Sequence, residues 1–162
     1  MDEGQFWDLL QRTHDAAPSD MDRKCELLKA ELQKLSRNDA IDFAILFDTM
    51  MGRAYSWRLW GAAYIIHGGC GDDTFNDFRS SLISRGQTSF EHALANPDAL
   101  ADDSIDEATW FYEGFQYAVT AGVEAVAGSP RPGLRQPDDP SGEDWSEDDL
   151  PRLYPRLSAK FA

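Results

Sequence analysis

The chain reads WRLWGAAYIIHGGCGDDTFNDFRSSLISRG from Trp57 to Gly86, and this stretch predicts two helices that meet at a glycine turn, which we call the corner. The small residues of Trp60-Gly61-Ala62-Ala63 let another backbone approach the first helix closely. His67-Gly68-Gly69 ends that helix, because glycine accepts the left-handed conformation that a helix C-terminus needs. Gly71-Asp72-Asp73 opens the second helix. One Asp side chain is expected to cap the free N–H groups there, and the other to interact favourably with the positive end of the helix dipole. The second helix ends at Arg85-Gly86.

Helical periodicity governs the rest of the chain, and no longer alternation typical of a strand is present. We therefore predict an all-α fold: one domain of about six helices over residues 1–127, followed by a strap at 128–162. The strap is irregular and acidic, with seven acids and no base between Asp138 and Asp149. It is expected to pack on the same domain. In addition to the two helices of the corner, helices are predicted near residues 2–14, 20–35, 38–55 and 88–94, and from a capping box at 104–107 to about 127.

Composition narrows the classes of function. The formal net charge is −14, from 29 acidic and 15 basic residues. Such a surface repels phosphates and anionic lipid, so we expect no direct binding of nucleic acid or membrane. The acidic charge is interpreted first as a solvated surface that keeps the protein soluble, and second as a surface for a basic protein partner. The longest apolar run, residues 61–66, is too short to span a membrane, and the acidic N-terminus is unlike a secretory signal. Cys25 and Cys70 are expected to be reduced thiols in the cytoplasm.

The corner also suggests two chemical sites. His67, Cys70, Asp72, Asp73 and Asp77 carry metal-binding groups, but their spacing matches no known ligand box, so no metal or cofactor is predicted. Cys70 precedes a helix N-terminus, a position that lowers a thiol pKa, and a histidine such as His67, His14 or His92 would have to act as its base. The alternative is that Cys70 fills a tight turn.

A structural explanation of the corner is preferred over either site. Its charged side chains can converge into a buried ion network that holds the two helices together, formed by Arg53, Arg58, Arg79, Asp48 and Asp73. Aromatic residues offer a further possibility, a groove for a partner or a surface on which the strap packs: Trp57, Trp60, Trp110, Tyr112 and Trp145.

Two sets of motifs resemble those of the DUF4240 family of bacterial proteins. One is Trp60-Gly61-Ala62-Ala63-Tyr64 with Gly68-Gly69-Cys70, Asp72-Asp73, Phe75 and Asp77-Phe78-Arg79; the other is Gly142-Glu143-Asp144-Trp145 with Leu150-Pro151, Leu153 and Tyr154-Pro155. Gly71 departs from the Ser expected there. The resemblance implies a small cytoplasmic bacterial protein and supplies no activity.

Together these features favour a non-enzymatic interaction or regulatory protein that uses an acidic and aromatic surface beside the corner. The alternative is an enzyme, or a protein that binds a small ligand or metal, with its site between His67 and Arg79. The candidate residues for either role are Trp57, Trp60, His67, Cys70, Asp72, Asp73 and Arg79.

Overall fold

The computed structural model describes residues 1–161, which form ten α-helices and two 3-10 turns with no β-strand. The all-α prediction is confirmed, and the expected number of about six helices is wrong. The helices are α1 (Glu3–Ala16), α2 (Met21–Gln33), α3 (Arg37–Arg53), α4 (Trp57–His67), α5 (Asp72–Ser84), α6 (Gln87–Ala95), α7 (Glu107–Trp110), α8 (Gly114–Ala127), α9 (Leu150–Leu153) and α10 (Pro155–Phe161). The 3-10 turns span Pro97–Asp102 and Glu147–Asp149. None of the helices in residues 1–161 has both the length and the apolar character that a membrane span requires.

Side-chain caps fix where most of the long helices begin. Ser36 caps α3 as the sequence predicts, accepting a hydrogen bond from the Asp39 N–H at 3.1 Å. At α7 the cap is Asp106, which accepts from the Thr109 N–H at 2.8 Å, so the capping box predicted on Ser104 is wrong. At α5 the N-cap is Gly71, which has no side chain to donate or accept, and the predicted Asp cap is wrong there too.

The core is built around α3 and α8. Phe43 and Phe47 of α3 are buried, and their rings pack against Phe6 of α1 and Phe115 of α8. Two turns further along α8, Gly122 lies against Leu32 of α2, since a Cβ on Gly122 would come within 2.6 Å of a Leu32 methyl carbon. Helix α5 packs against both α3 and α4, and the corner forms between α4 and α5.

The long helix predicted up to residue 127 is broken into α7 and α8. Between them, the Ser81 hydroxyl of α5 accepts a hydrogen bond from the Tyr112 N–H at 2.9 Å, which diverts the chain out of the helical path. The Tyr112 ring then covers Gly114, where a Cβ would lie 2.7 Å from a ring carbon. A contact from a distant helix therefore overrides the local helical pattern.

The strap is irregular in its first part and helical toward its end, where α9 and α10 lie. Both Asp98 carboxylate oxygens accept backbone N–H groups at the start of α10, from Arg156 at 3.2 Å and Leu157 at 2.9 Å. A single parallel β-bridge joins Ser56 to Ser141. These contacts hold residues 141–161 against α4 and the 3-10 turn at Pro97–Asp102.

Candidate functional site

The corner between α4 and α5 is a stack of aromatic rings. Trp57 and Trp60 lie three residues apart on one face of α4, and their rings are stacked with centroids 5.4 Å apart and planes 12° apart. Trp60 also stacks on Phe75 of α5, at 4.8 Å and 17°. The stack therefore runs from the first turn of α4 into α5.

Arg79 closes the inner end of this stack. Its guanidinium carbon lies 4.9 Å from the Phe75 ring centroid and 4.6 Å from that of Tyr55. One nitrogen donates to the Met51 carbonyl at 2.8 Å and the other to the Asn76 side chain at 3.1 Å. Arg79 is 5% exposed, and burial lowers its pKa to about 10. Among residues 1–161 no carboxylate lies within 4.0 Å of it.

The predicted ion network is therefore wrong. Asp48 pairs with Arg131, whose Nη2 lies 2.7 Å from an Asp48 oxygen. Arg53 pairs with Glu91 of α6 at 3.0 Å. Asp73 is exposed and takes part in no ion pair within residues 1–161. Arg58 is exposed as well, at the opposite side of α4. The corner is held by aromatic and cation–π contacts rather than by ion pairs.

The glycine turn at the corner is pinned by side chains on both sides. Gly68 has the left-handed conformation predicted for it, with φ of 72°. The Trp60 indole N–H donates to the Cys70 carbonyl at 2.8 Å. The exposed His67 ring contacts the Gly69 carbonyl through Nδ1 at 2.9 Å and Glu107 through Nε2 at 3.3 Å.

The Cys70 thiol is not activated in this arrangement. Burial raises its pKa to about 12, which is the opposite of the shift expected from its place before a helix. Trp60 lowers this pKa, but by less than burial raises it. Asp72 and Asp73 are exposed in the first turn of α5, where they face the positive end of the helix dipole. Within residues 1–161 no group of three or more His, Cys, Asp or Glu is arranged to hold a metal ion.

A groove of about 540 Å³ lies on the other side of α4, between the start of the 3-10 turn at Pro97–Asp102 and residues 142–154. We call it the Trp145 groove. The Trp145 indole N–H donates to the Trp57 carbonyl at 2.6 Å, and its ring meets that of Trp57 edge to face at 6.1 Å. The Tyr154 hydroxyl donates to the Arg58 carbonyl. The sequence points to this groove only through the prediction that the strap, which contains Trp145, packs on the helices.

Four carboxylates and two arginines line the Trp145 groove, so it carries an excess of negative charge: Asp98, Glu143, Asp144, Asp149, Arg58 and Arg152. Asp98 is occupied by the start of α10, and Asp149 accepts hydrogen bonds from the N–H and the hydroxyl of Ser146, the N-cap of the 3-10 turn at Glu147–Asp149. Glu143 has no hydrogen-bond or ion-pair partner in residues 1–161, and Asp144 accepts only the N–H of its neighbour Trp145 at 2.7 Å. Two carboxylates beside an aromatic ring therefore retain free acceptors.

Comparison with known proteins identifies the family. A family model described as a protein of unknown function, DUF4240, matches residues 1–124 of the 162 in the chain. The chain belongs to the DUF4240 family. Curated proteins and solved structures gave no match to it.

The DUF4240 match covers the corner completely and the Trp145 groove only in part. All seven residues predicted as candidates, from Trp57 to Arg79, lie within the matched part. The second set of motifs, at residues 142–155, lies outside it. One wall of the Trp145 groove, with Arg58 and Asp98, therefore belongs to the DUF4240 region, and the wall with Trp145 lies beyond that region.

Proposed function

We propose that this protein is a non-enzymatic interaction protein that binds a basic segment of a partner protein in the Trp145 groove. The observation that carries the proposal is the pair of free carboxylates, Glu143 and Asp144, beside the Trp145 ring. An arginine side chain matches such a surface, because its planar guanidinium donates hydrogen bonds to carboxylates along its edge and stacks its face on an aromatic ring.

The charge of the whole chain supports the same partner. A net charge of −14 raises the local concentration of cationic partners and speeds their association. The groove volume of about 540 Å³ accommodates one or two side chains of an extended segment.

The chemistry of the corner supports an interaction protein over an enzyme. Two nitrogens of the Arg79 guanidinium donate to Met51 and Asn76, and the Trp60 indole donates to the turn carbonyl. The third guanidinium nitrogen, Nε, is buried without a hydrogen-bond partner among residues 1–161. The thiol of Cys70 has a raised pKa, so it lacks the thiolate that nucleophilic catalysis needs. Under this proposal the corner supports the groove through Trp57, whose carbonyl binds Trp145.

The test is calorimetric titration with an unstructured peptide of about twelve residues that alternates Arg and Gly, with a Gln-for-Arg peptide as the ligand control. The variant Glu143→Gln/Asp144→Asn should weaken binding at least about tenfold, as the loss of charge-assisted hydrogen bonds requires. A matched variant, Glu3→Gln/Asp8→Asn, removes the same charge from exposed positions of α1. It should change the affinity less than about twofold at physiological salt, because separated surface charges are screened there.

Equal weakening in the two variants would mean that the peptide follows the overall charge and not the groove. Absence of binding by the wild-type protein would also contradict the proposal.

A further inference from the structure

Three basic side chains lie near one another in this acidic protein without a carboxylate partner: His14 and Lys24, which are in contact, and Arg85. Lys24 is completely buried, at 0% exposure. Among residues 1–161 no carboxylate oxygen lies within 4.0 Å of the charged nitrogens of Lys24 or Arg85. Buried cations are normally paired, so this cluster needs an explanation.

The packing of α1 against the end of α5 brings the three side chains together. Arg85 directly follows α5, and the next residue, Gly86, abuts α1, where a Cβ would lie 2.3 Å from the Gln11 side-chain oxygen. Gln11 and His14 are three residues apart and share a face of α1. Arg85 is accordingly one of the groups that lower the pKa of both His14 and Lys24, after burial, which is the largest cause for each.

The contact between Lys24 and His14 determines which ring nitrogen carries the proton. The Lys24 Nζ lies 2.9 Å from His14 Nδ1 and 3.5 Å from the Pro18 carbonyl. An ammonium group can only donate, so Nδ1 accepts and the proton of the neutral imidazole is on Nε2. That Nε2–H has no acceptor among residues 1–161, which leaves it as a free donor with a cation behind it.

Arg85 also keeps its donors free. Its guanidinium carbon lies 4.1 Å from the centroid of the Trp110 ring, which fixes the plane of the group. Its Nε is buried without a hydrogen-bond partner, and its other nitrogens form no hydrogen bond within residues 1–161. The cluster therefore offers donors from a planar guanidinium and an imidazole and contains no free acceptor of its own.

From this geometry we propose that His14 and Arg85 bind an oxyanion of the size of a phosphate group, with Lys24 as the buried charge that holds His14 as a donor. The positive charges of Arg85 and Lys24 together match the charge of a phosphate dianion. Of the nearby carboxylates, Asp15 accepts from Gln11 at 2.8 Å and Asp106 from Thr109 at 2.8 Å and 2.9 Å. Asp103, whose negative charge raises the pKa of Arg85, is the carboxylate that competes with the anion.

The ring nitrogens of the three histidines, followed by ¹H–¹⁵N NMR at pH 7, provide the test. Sodium phosphate should shift the His14 Nε2 resonance and saturate below about 50 mM, while sodium chloride of equal ionic strength should not. O-phosphoserine, titrated in parallel, distinguishes a phosphate group carried on a ligand from the free ion. Tighter binding of the monoester assigns the site to a phosphorylated ligand, and equal or weaker binding assigns it to free phosphate.

The variant Arg85→Gln should weaken the phosphate affinity at least about tenfold. The matched variant Arg37→Gln, at an exposed position, should leave it unchanged. If Arg85→Gln does not fold, Arg85→Lys keeps the charge without the planar fork and should still weaken binding severalfold. The proposal is overturned if phosphate leaves the His14 resonance unmoved, if chloride shifts it equally, or if the folded Arg85 variant binds as well as wild type.

Discussion

Replacing Gly61 by alanine should loosen the C-terminal segment from α4. Gly61 is buried in α4, and a Cβ built on it would lie 2.6 Å from the Tyr154 hydroxyl oxygen and 2.8 Å and 2.9 Å from two ring carbons. Ordinary contacts of a Cβ begin at 3.4 Å, so the hydroxyl would have to move by about 0.8 Å (3.4 − 2.6 Å). Tyr154 is only 5% exposed and its hydroxyl is bonded to the Arg58 carbonyl, so the ring has little room to move.

The expected change combines two opposing contributions. Overpacking of a well-filled site destabilises by about 1–3 kcal/mol. Alanine in a helix interior is favoured over glycine by about 0.8–1 kcal/mol. The net loss in the free energy of unfolding should therefore be about 1 kcal/mol, or a fall in melting temperature of about 2–4 °C for a domain of this size.

Urea unfolding of a double-mutant cycle separates the two contributions. In the Tyr154→Leu background the clash is absent, and Gly61→Ala should then stabilise by about 0.5–1 kcal/mol. Gly52→Ala in α3 is a second control, since its Cβ would meet nothing closer than 3.5 Å and should be neutral or slightly stabilising. If Gly61→Ala stabilises the wild-type protein as much as the Tyr154→Leu variant, the close packing of Tyr154 on α4 is refuted.

Three further changes test the charged and thiol groups. Asp48→Asn should lower the free energy of unfolding by about 3–5 kcal/mol in urea melts, because it leaves the Arg131 guanidinium without its charged partner. The side chains of this pair are largely buried, with Arg131 18% and Asp48 9% exposed. A loss below about 1 kcal/mol would instead be typical of a surface ion pair. Cys70 in the folded protein should react with iodoacetamide at pH 8 at least about a hundredfold more slowly than in urea, because burial raises the pKa of its thiol to about 12. Equal rates of modification, followed by mass spectrometry, would contradict the burial of the thiol. Burial and Lys24 lower the pKa of His14 from 6.5 to about 4, so the unfolded chain binds more protons in that window and stability should fall as the pH drops from 6.5 to 4. The full shift corresponds to about 3 kcal/mol, which partial exposure of His14 reduces to about 1–2 kcal/mol, and His14→Leu should lose that part of the pH dependence in parallel urea melts.

The sequence predicts features whose cause is local. The Ser36 cap and the left-handed Gly68 each depend on residues within a few positions, so their patterns are visible in the chain itself. The break between α7 and α8 depends on Ser81, 31 positions before Tyr112. The start of α10 depends on Asp98, which lies 58 residues before Arg156. Spacing along the chain contains no information about such contacts.

The site shows the same division between local and distant causes. The clustering of Trp57, Trp60 and Arg79 in one corner follows from helical spacing and the glycine turn. The contacts that these residues make do not follow from spacing, because the Arg79 guanidinium packs on the rings of Tyr55 and Phe75 and pairs with no carboxylate among residues 1–161. Likewise Asp48, expected near the corner, binds Arg131 across 83 positions of sequence.

Helix α4 joins the corner and the groove, and this has consequences for their roles. The Trp57 ring belongs to the corner stack, while its carbonyl binds the indole of Trp145 in the groove. The backbone of α4 also receives Tyr154, at Arg58 and Gly61. A backbone carbonyl survives any substitution, so loss of the Trp57 ring leaves the hydrogen bond to Trp145 in place but removes the edge-to-face contact with the Trp145 ring. A binding defect produced by a variant at Trp60 or Arg79 would report the position of α4, whereas a defect from Glu143 or Asp144 would report contact with the partner.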